Sequence, residues 1–312
     1  LLFGMLFFGL IFIVIGYKNI DYFSNSKKID NWFGKSGFFV YNNIFLFSSA
    51  LVVFIGTIFP LIYETLYNRQ ITIGRSYYDI LVGPLLLILL VLMIFSIKLP
   101  IKNLNVKKWI EENNIVINSS LIISIFILLN LNNSYILVIT LAISVLLIFV
   151  IFANLYKNFR NQKSNSSYWT GQIAHLGIGI FALGIILNVS QSYSTEIEID
   201  SFEEFNFNNQ TYFVYDSIEE SLPEKNVIKL PISNQNTTKY TSLNIFKNSS
   251  QQAISSPAVF RTLFNDIYIT VKFIDESSYK LIVRNNYGIF IMWIGLFVSS
   301  ISFFPRLKKY AK

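Results

Sequence analysis

The chain alternates long apolar blocks with short polar connections, and the block lengths match a lipid bilayer. A hydrocarbon core about 30 Å thick needs roughly 20 helical residues to cross it. Apolar runs of suitable length lie near residues 1–17, 38–63, 80–99, 115–130, 133–155, 170–189 and 285–305. The run at 115–130 is polar at both ends and is the weakest of the seven. Between the last two runs the pattern changes. Thr195–Asp200, Gln210–Tyr215 and Asp266–Asp275 alternate or run apolar over strand lengths. Ile267, Ile269, Val271 and Phe273 fall on one face, the period-2 signature of a half-buried strand. Polar clusters at Ser233–Thr238 and Asn248–Ser250 punctuate this stretch as loops. The pattern predicts a polytopic α-helical membrane protein of about seven transmembrane helices with an inserted small all-β domain. Its parts are a membrane domain of six helices over 1–190, the β-domain over 191–284, and a final helix with its tail over 285–312.

Charge orients this arrangement. Lys18, Lys27, Lys28 and Lys35 fall in one connection, Lys98, Lys102, Lys107 and Lys108 in another, and Lys157, Arg160 and Lys163 in a third. The tail carries Arg306, Lys308, Lys309 and Lys312. With seven spans all four basic segments share one side, and the excess of Lys and Arg makes that side cytoplasmic. The opposite loops, near 64–79 and 130–134, hold only Arg69 and Arg75 as basic residues. Residues 191–284 carry twelve acids and eight bases and are expected outside the cytoplasm.

Composition agrees with the pattern. Of 312 residues, 53% are hydrophobic, 17% aromatic and only 14% charged, against about 25% charged in an average soluble domain. The net charge of +7 is spread over membrane-flanking loops and does not point to nucleic acid. With no cysteine, disulfides, thiolate metal sites and cysteine nucleophiles are excluded. The chain opens at Leu1, already inside an apolar run that lacks a charged n-region and a cleavage site. It therefore reads as the remainder of a longer protein.

One histidine is present. His175 sits in Gly171-Gln172-Ile173-Ala174-His175-Leu176-Gly177-Ile178-Gly179, near the cytoplasmic end of a predicted span. An ionisable side chain inside the membrane suggests a ligand or a proton relay, because its desolvation has to be compensated. The alternative is a neutral histidine hydrogen-bonded across a helix interface. The glycines around it allow close approach of another helix or of a flat cofactor.

Ser167-Tyr168-Trp169-Thr170-Gly171, Ala174-His175-Leu176-Gly177 and Gly184-Ile185-Ile186-Leu187 resemble the C-terminal part of the CcmF family. The similarity extends to Asn42-Asn43-Ile44, Gly56 to Leu61, Ile71 to Gly74, and Tyr77-Tyr78, with Pro84 opening the next span. It continues through Ser256-Pro257, Phe264-Asn265-Asp266-Ile267-Tyr268 and the Trp293-containing final span. The resemblance implies a membrane haem lyase subunit of cytochrome c maturation, which attaches haem to apocytochrome cysteines and holds a haem b between two membrane histidines. Only His175 matches such a ligand here, with Gly171 and Gly177 beside it. The family's tryptophan-rich segment and its flanking histidines have no counterpart in these residues, so the second ligand lies outside this chain. The implied partners are a haem chaperone, apocytochrome c and sister maturation subunits, in a bacterial inner membrane or a mitochondrial one.

Secondary candidates are Arg69 and Arg75 as haem propionate contacts, with Glu64 and Asp79 as their partners. Both arginines serve equally as interfacial anchors. Met93 and Met292 are soft ligands or packing filler, and Trp32, Trp109 and Trp169 suit an aromatic belt. Two other functions compete: a small-molecule or ion transporter, and a haem-free scaffold subunit. The spans hold few acids, and there is no pair of broken helices in corresponding positions, which weighs against transport.

Overall fold

The computed structural model describes residues 10, 14, 17, 18, 32–67, 69, 71–97, 105–128, 135–160, 166–235, 237–247, 253–274 and 278–302. The expected span near 1–17 and the basic tail lie outside the described residues, apart from Leu10, Val14 and Tyr17. Two compact units divide at residues 111 and 112.

The first unit pairs two helices, α1 (Lys35–Tyr67) and α2 (Arg75–Ser96), and ends in the short α3 (Val106–Glu112). α1 and α2 are apolar and long enough to cross a membrane. They meet at Gly56, where an added Cβ would stand 2.7 Å from the Tyr77 ring and 2.9 Å from the Tyr78 hydroxyl. Tyr77 also donates its hydroxyl proton to the Val52 carbonyl oxygen at 3.2 Å. Pro84 does not open a span. It lies inside α2, which begins earlier, at Arg75. Trp109, expected in an interfacial belt, is instead buried against Phe95, with ring centroids 5.0 Å apart.

The second unit holds α4 (Asn114–Leu128), α5 (Tyr135–Arg160), α6 (Ser166–Gln191), ten strands, and α7 (Ile289–Ile301). α5 and α6 have spanning length and apolarity. α4 has 15 residues and α7 13, or roughly 22 and 20 Å at 1.5 Å per residue. Among the described residues, then, four helices qualify as membrane spans by length and apolarity, against the seven expected. α6 is flanked by α5 and α7. Toward α5, Ile186 packs with Leu141 and Val145, and Gly179 lies against Ile148.

The strands form two antiparallel sheets over one core. The first runs β1 (Tyr193–Asp200), β10 (Ser278–Tyr287), β9 (Asn265–Ile274), β8 (Ala258–Arg261). The second runs β2 (Glu204–Phe207), β3 (Gln210–Val214), β5 (Lys225–Ser233), β6 (Thr238–Phe246), β7 (Ala253–Ser256), with β4 (Ile218–Ser221) also on β5. Ile267, Ile269 and Val271 are fully buried, as the alternation predicts. They meet Tyr212, Val214, Leu230 and Ile232 of the other sheet in the shared core. Burial pushes the Tyr212 hydroxyl up to about 12, and that hydroxyl donates to Gln210 Oε1 at 2.7 Å.

The first and last strands are partners, from Tyr193↔Asn285 to Asp200↔Ser278. The excursion therefore closes on itself and returns the chain beside the end of α6. Asn188 Nδ2 donates to the Tyr287 carbonyl at 2.9 Å, and the Tyr287 N–H donates to Ser192 Oγ at 3.1 Å.

Asp266 is nearly buried in β9, with the Arg261 guanidinium 3.9 Å away. Desolvation raises its pKa and Arg261 only partly opposes this. A raised folded-state pKa means that the native state binds the extra proton, so stability falls as pH rises through that window. Asp266→Asn should therefore raise the melting temperature at pH 7 and lose that advantage below the ordinary carboxylate range. Thermal unfolding of the detergent-solubilised chain at several pH values measures both.

Candidate functional site

α6 carries the candidate site. It runs from Ser166 to Gln191, and from Ile173 to Leu187 its apolar run is interrupted among polar side chains by His175 alone, with Gln172 just before it. At 100° per residue, two sides of this helix are distinct. Gly177, Phe181 and Gly184 lie on one side and meet α7. His175, Gly179, Ala182 and Ile186 recur at i, i+4, i+7 and i+11 on the other, where Gly179 and Ile186 contact α5.

The contact with α7 is backbone against backbone. A Cβ at Gly177 would meet Ser299 Oγ and stand 2.5 Å from the Gly295 carbonyl oxygen. A Cβ at Gly184 would stand 2.7 Å from the Met292 nitrogen. In return, Gly295 faces the Phe181 nitrogen and the Gly177 oxygen, and a Cβ added at Gly288 would stand 2.6 Å from the Gly184 oxygen. Two glycines seven residues apart on each helix thus oppose one another. Bilayer lipids are as apolar as leucine, so such seams form through small residues and interhelical hydrogen bonds rather than through the hydrophobic effect. Ser299 Oγ supplies one such bond, donating to the Ala174 carbonyl at 3.1 Å. Gly288 also adopts φ 78°, a left-handed conformation that suits glycine.

His175 is partly buried, and its Nδ1 is fully buried with no hydrogen-bond partner among the described residues. Gln172 Oε1 is in the same condition. One group offers a donor or an acceptor, the other an acceptor, and they lie one turn apart on the same side of α6. Gln172 was not singled out by sequence. The signal available was a second polar residue at i−3 from the lone histidine.

The remaining candidates separate. Among the described residues no atom lies within 4 Å of a Cβ built on Gly171, while the bare side of Gly177 is filled by α7. Arg75 pairs with Asp79 at 3.1 Å across one exposed turn of α2, and Arg69 is exposed. Met292 packs over Gly184. On the β-domain, Lys272 and then Lys280 hold the Glu196 carboxyl below its usual range. An open hollow of about 380 Å³ on the second sheet is lined by Glu220, Leu222, Lys225, Phe246 and Ile254 among others.

No protein-family model matches the chain. The cytochrome c-type biogenesis protein CcmF of Pseudomonas fluorescens is 26% identical over 168 residues, 51% of this chain and 25% of that protein. CcmF of Haemophilus influenzae is 22% identical over 327 aligned positions, covering 95% of this chain and 49% of its own length. A solved structure of the cytochrome c haem lyase CcmF superposes with a TM-score of 0.66 at 14% identity, over 97% of this chain and 50% of that one. Together these similarities support a CcmF-family assignment, at low sequence identity. It spans between a quarter and half of the length of these CcmF relatives, and the fold of the solved CcmF runs through the helices and the β-domain alike.

The two glycines beside His175 should separate in stability. Gly177→Ala overpacks the seam against backbone atoms and should cost about 1–3 kcal/mol. Gly171→Ala enters open space and should be neutral, or stabilising by up to about 1 kcal/mol. Melting of the solubilised protein, followed by size-exclusion, distinguishes the two substitutions.

Proposed function

We propose that this chain is the C-terminal membrane part of a haem lyase subunit of cytochrome c maturation, and that His175 is an axial ligand to a haem b. The observation that carries the ligand assignment is the buried, unpartnered Nδ1 of the chain's one histidine, in a CcmF-family protein. An imidazole ligates iron through one nitrogen, while the other is held by a second-shell acceptor. Gln172 Oε1, also buried and without a partner among the described residues, is not bonded to His175 in the structure; a side-chain rotation over one helical turn would let it accept the Nδ1 proton and leave the Nε2 lone pair for the metal. The open flank at Gly171 leaves room for a flat macrocycle beside the same helix. Haem b, when bound, supplies a redox-active iron able to pass an electron to incoming haem. With one histidine in the sequence, His175 would hold such a haem from one side only, and a second imidazole would have to come from outside these residues.

On this reading, residues 191–284 stand outside the cytoplasm and dock a partner: the haem chaperone, apocytochrome c or a sister subunit. Their net acidity favours a basic partner surface. The compartment is the bacterial inner membrane, or a mitochondrial inner membrane for an organellar protein.

Two experiments test these assignments. His175→Ala in the complete protein should abolish most haem b and stop holocytochrome c from accumulating, while membrane insertion persists. Full haem content and full maturation in that variant would leave His175 a packed residue. Topology is open to single-cysteine labelling, because these 312 residues contain no cysteine and any elsewhere in the complete protein can be replaced first. Glu220→Cys should react with an impermeant maleimide from outside the cell, and Lys107→Cys should not. The reverse pattern would invert the model.

A further inference from the structure

The hairpin between β8 and β9 ends in two apolar residues. Thr262 N–H donates to the Asn265 carbonyl at 2.9 Å, which leaves Leu263 and Phe264 alone at the tip. Leu263 is 59% exposed and Phe264 70%. Tight hairpin turns favour Gly, Asn, Asp and Ser, which tolerate both the backbone and water. A Leu-Phe pair in that position exposes two large apolar side chains for no local benefit. The turn is not slack. Asn265 Nδ2 donates to Asn285 Oδ1 at 2.8 Å, and the Asn265 N–H returns to Thr262 Oγ1 at 3.2 Å.

The depth of the tip is fixed by its contacts. Gly288 donates its N–H to the Phe264 carbonyl at 3.4 Å. Gly288 in turn lies against the Gly184 oxygen, Leu187 and the Asn188 nitrogen of α6. The Phe264 carbonyl is therefore one hydrogen bond away from the glycine that abuts the Gly184–Asn188 turn of α6, a helix of spanning length and apolarity. The helix that begins next to it exposes Phe290, Trp293 and Phe297 at helical spacing, a stripe suited to lipid. Two residues before Leu263, at the end of β8, the Arg261 side chain is 78% exposed. A cation just above an apolar tip is the arrangement that meets lipid phosphates while the apolar part enters the chain region.

We propose that Leu263 and Phe264 insert into the interfacial region of the bilayer, so that the β-domain rests on the membrane through this hairpin as well as through α6 and α7. The occupant of the exposed tip is lipid. The insertion gives the domain a third point of attachment and fixes its tilt relative to the membrane.

These 312 residues contain no cysteine, and any cysteine elsewhere in the complete protein is replaced by serine before labelling. Phe264→Cys, and separately Leu263→Cys, are nitroxide-labelled in the complete protein, reconstituted into phosphatidylethanolamine–phosphatidylglycerol vesicles. Power-saturation EPR then compares collisions with oxygen, which concentrates in lipid, and with a water-soluble nickel chelate. Both sites should favour oxygen several-fold more than the control Glu220→Cys on the second sheet. A chelate response at both sites equal to that of the control would place the tip in water and overturn the proposal. Protection of both sites from both reagents would mean that protein covers the tip, and would overturn it equally.

Discussion

The approach of α6 and α7 through four glycines is the constraint on which the rest of the second unit depends. Gly177 and Gly184 bring the α6 backbone close to Gly295 and Gly288, with Ser299 Oγ and Met292 filling the space beside them. Apolar side chains gain little by leaving lipid for one another, so this contact rests on van der Waals fit and on hydrogen bonds such as Ser299 to Ala174. The fit fixes the rotation of α6 about its axis. With Gly177 against α7, helical geometry leaves Gln172 and His175 on the other side, in the stripe that runs into the α5 contact. The position of the one imidazole thus follows from glycines that never touch it.

The same contact sets how the β-domain is carried. α6 leads into β1 and β10 leads into α7, and those two strands pair along their whole register. The strand pair continues the helix pair. Asn188, Ser192 and Tyr287 hydrogen-bond across the junction, so tilting the domain would require breaking those bonds or shifting the glycine seam. A partner bound to the sheets would meet a surface held at a definite position over the helices rather than a tethered module.

Much of this was legible in sequence because apolar periodicity is a strong signal. Six of the seven expected runs correspond to described helices, with ends that differ by a few residues, and the strand alternation in Asp266–Asp275 picked out the buried face. Expectation and structure part where tertiary packing decides. Pro84 resembled a helix start, but a proline within a long apolar helix is tolerated when the rest of the span is satisfied. Trp109 had the composition of a belt residue and found Phe95 instead. At His175 the residue was legible, but its surroundings were not. Gly177 serves the α7 seam and Gly171 faces open space, a distinction that spacing does not contain. The unpartnered Gln172 carbonyl emerged only once the helix faces were known.

The functional account rests on one claim: that the unpartnered imidazole of α6 ligates iron. A low-temperature EPR spectrum of the oxidised, purified complete protein examines that ligation directly. The account predicts a low-spin ferric signal of bis-imidazole type that is lost in His175→Ala and survives in Glu220→Cys on the second sheet. A ferric haem signal that persists unchanged in His175→Ala would contradict it.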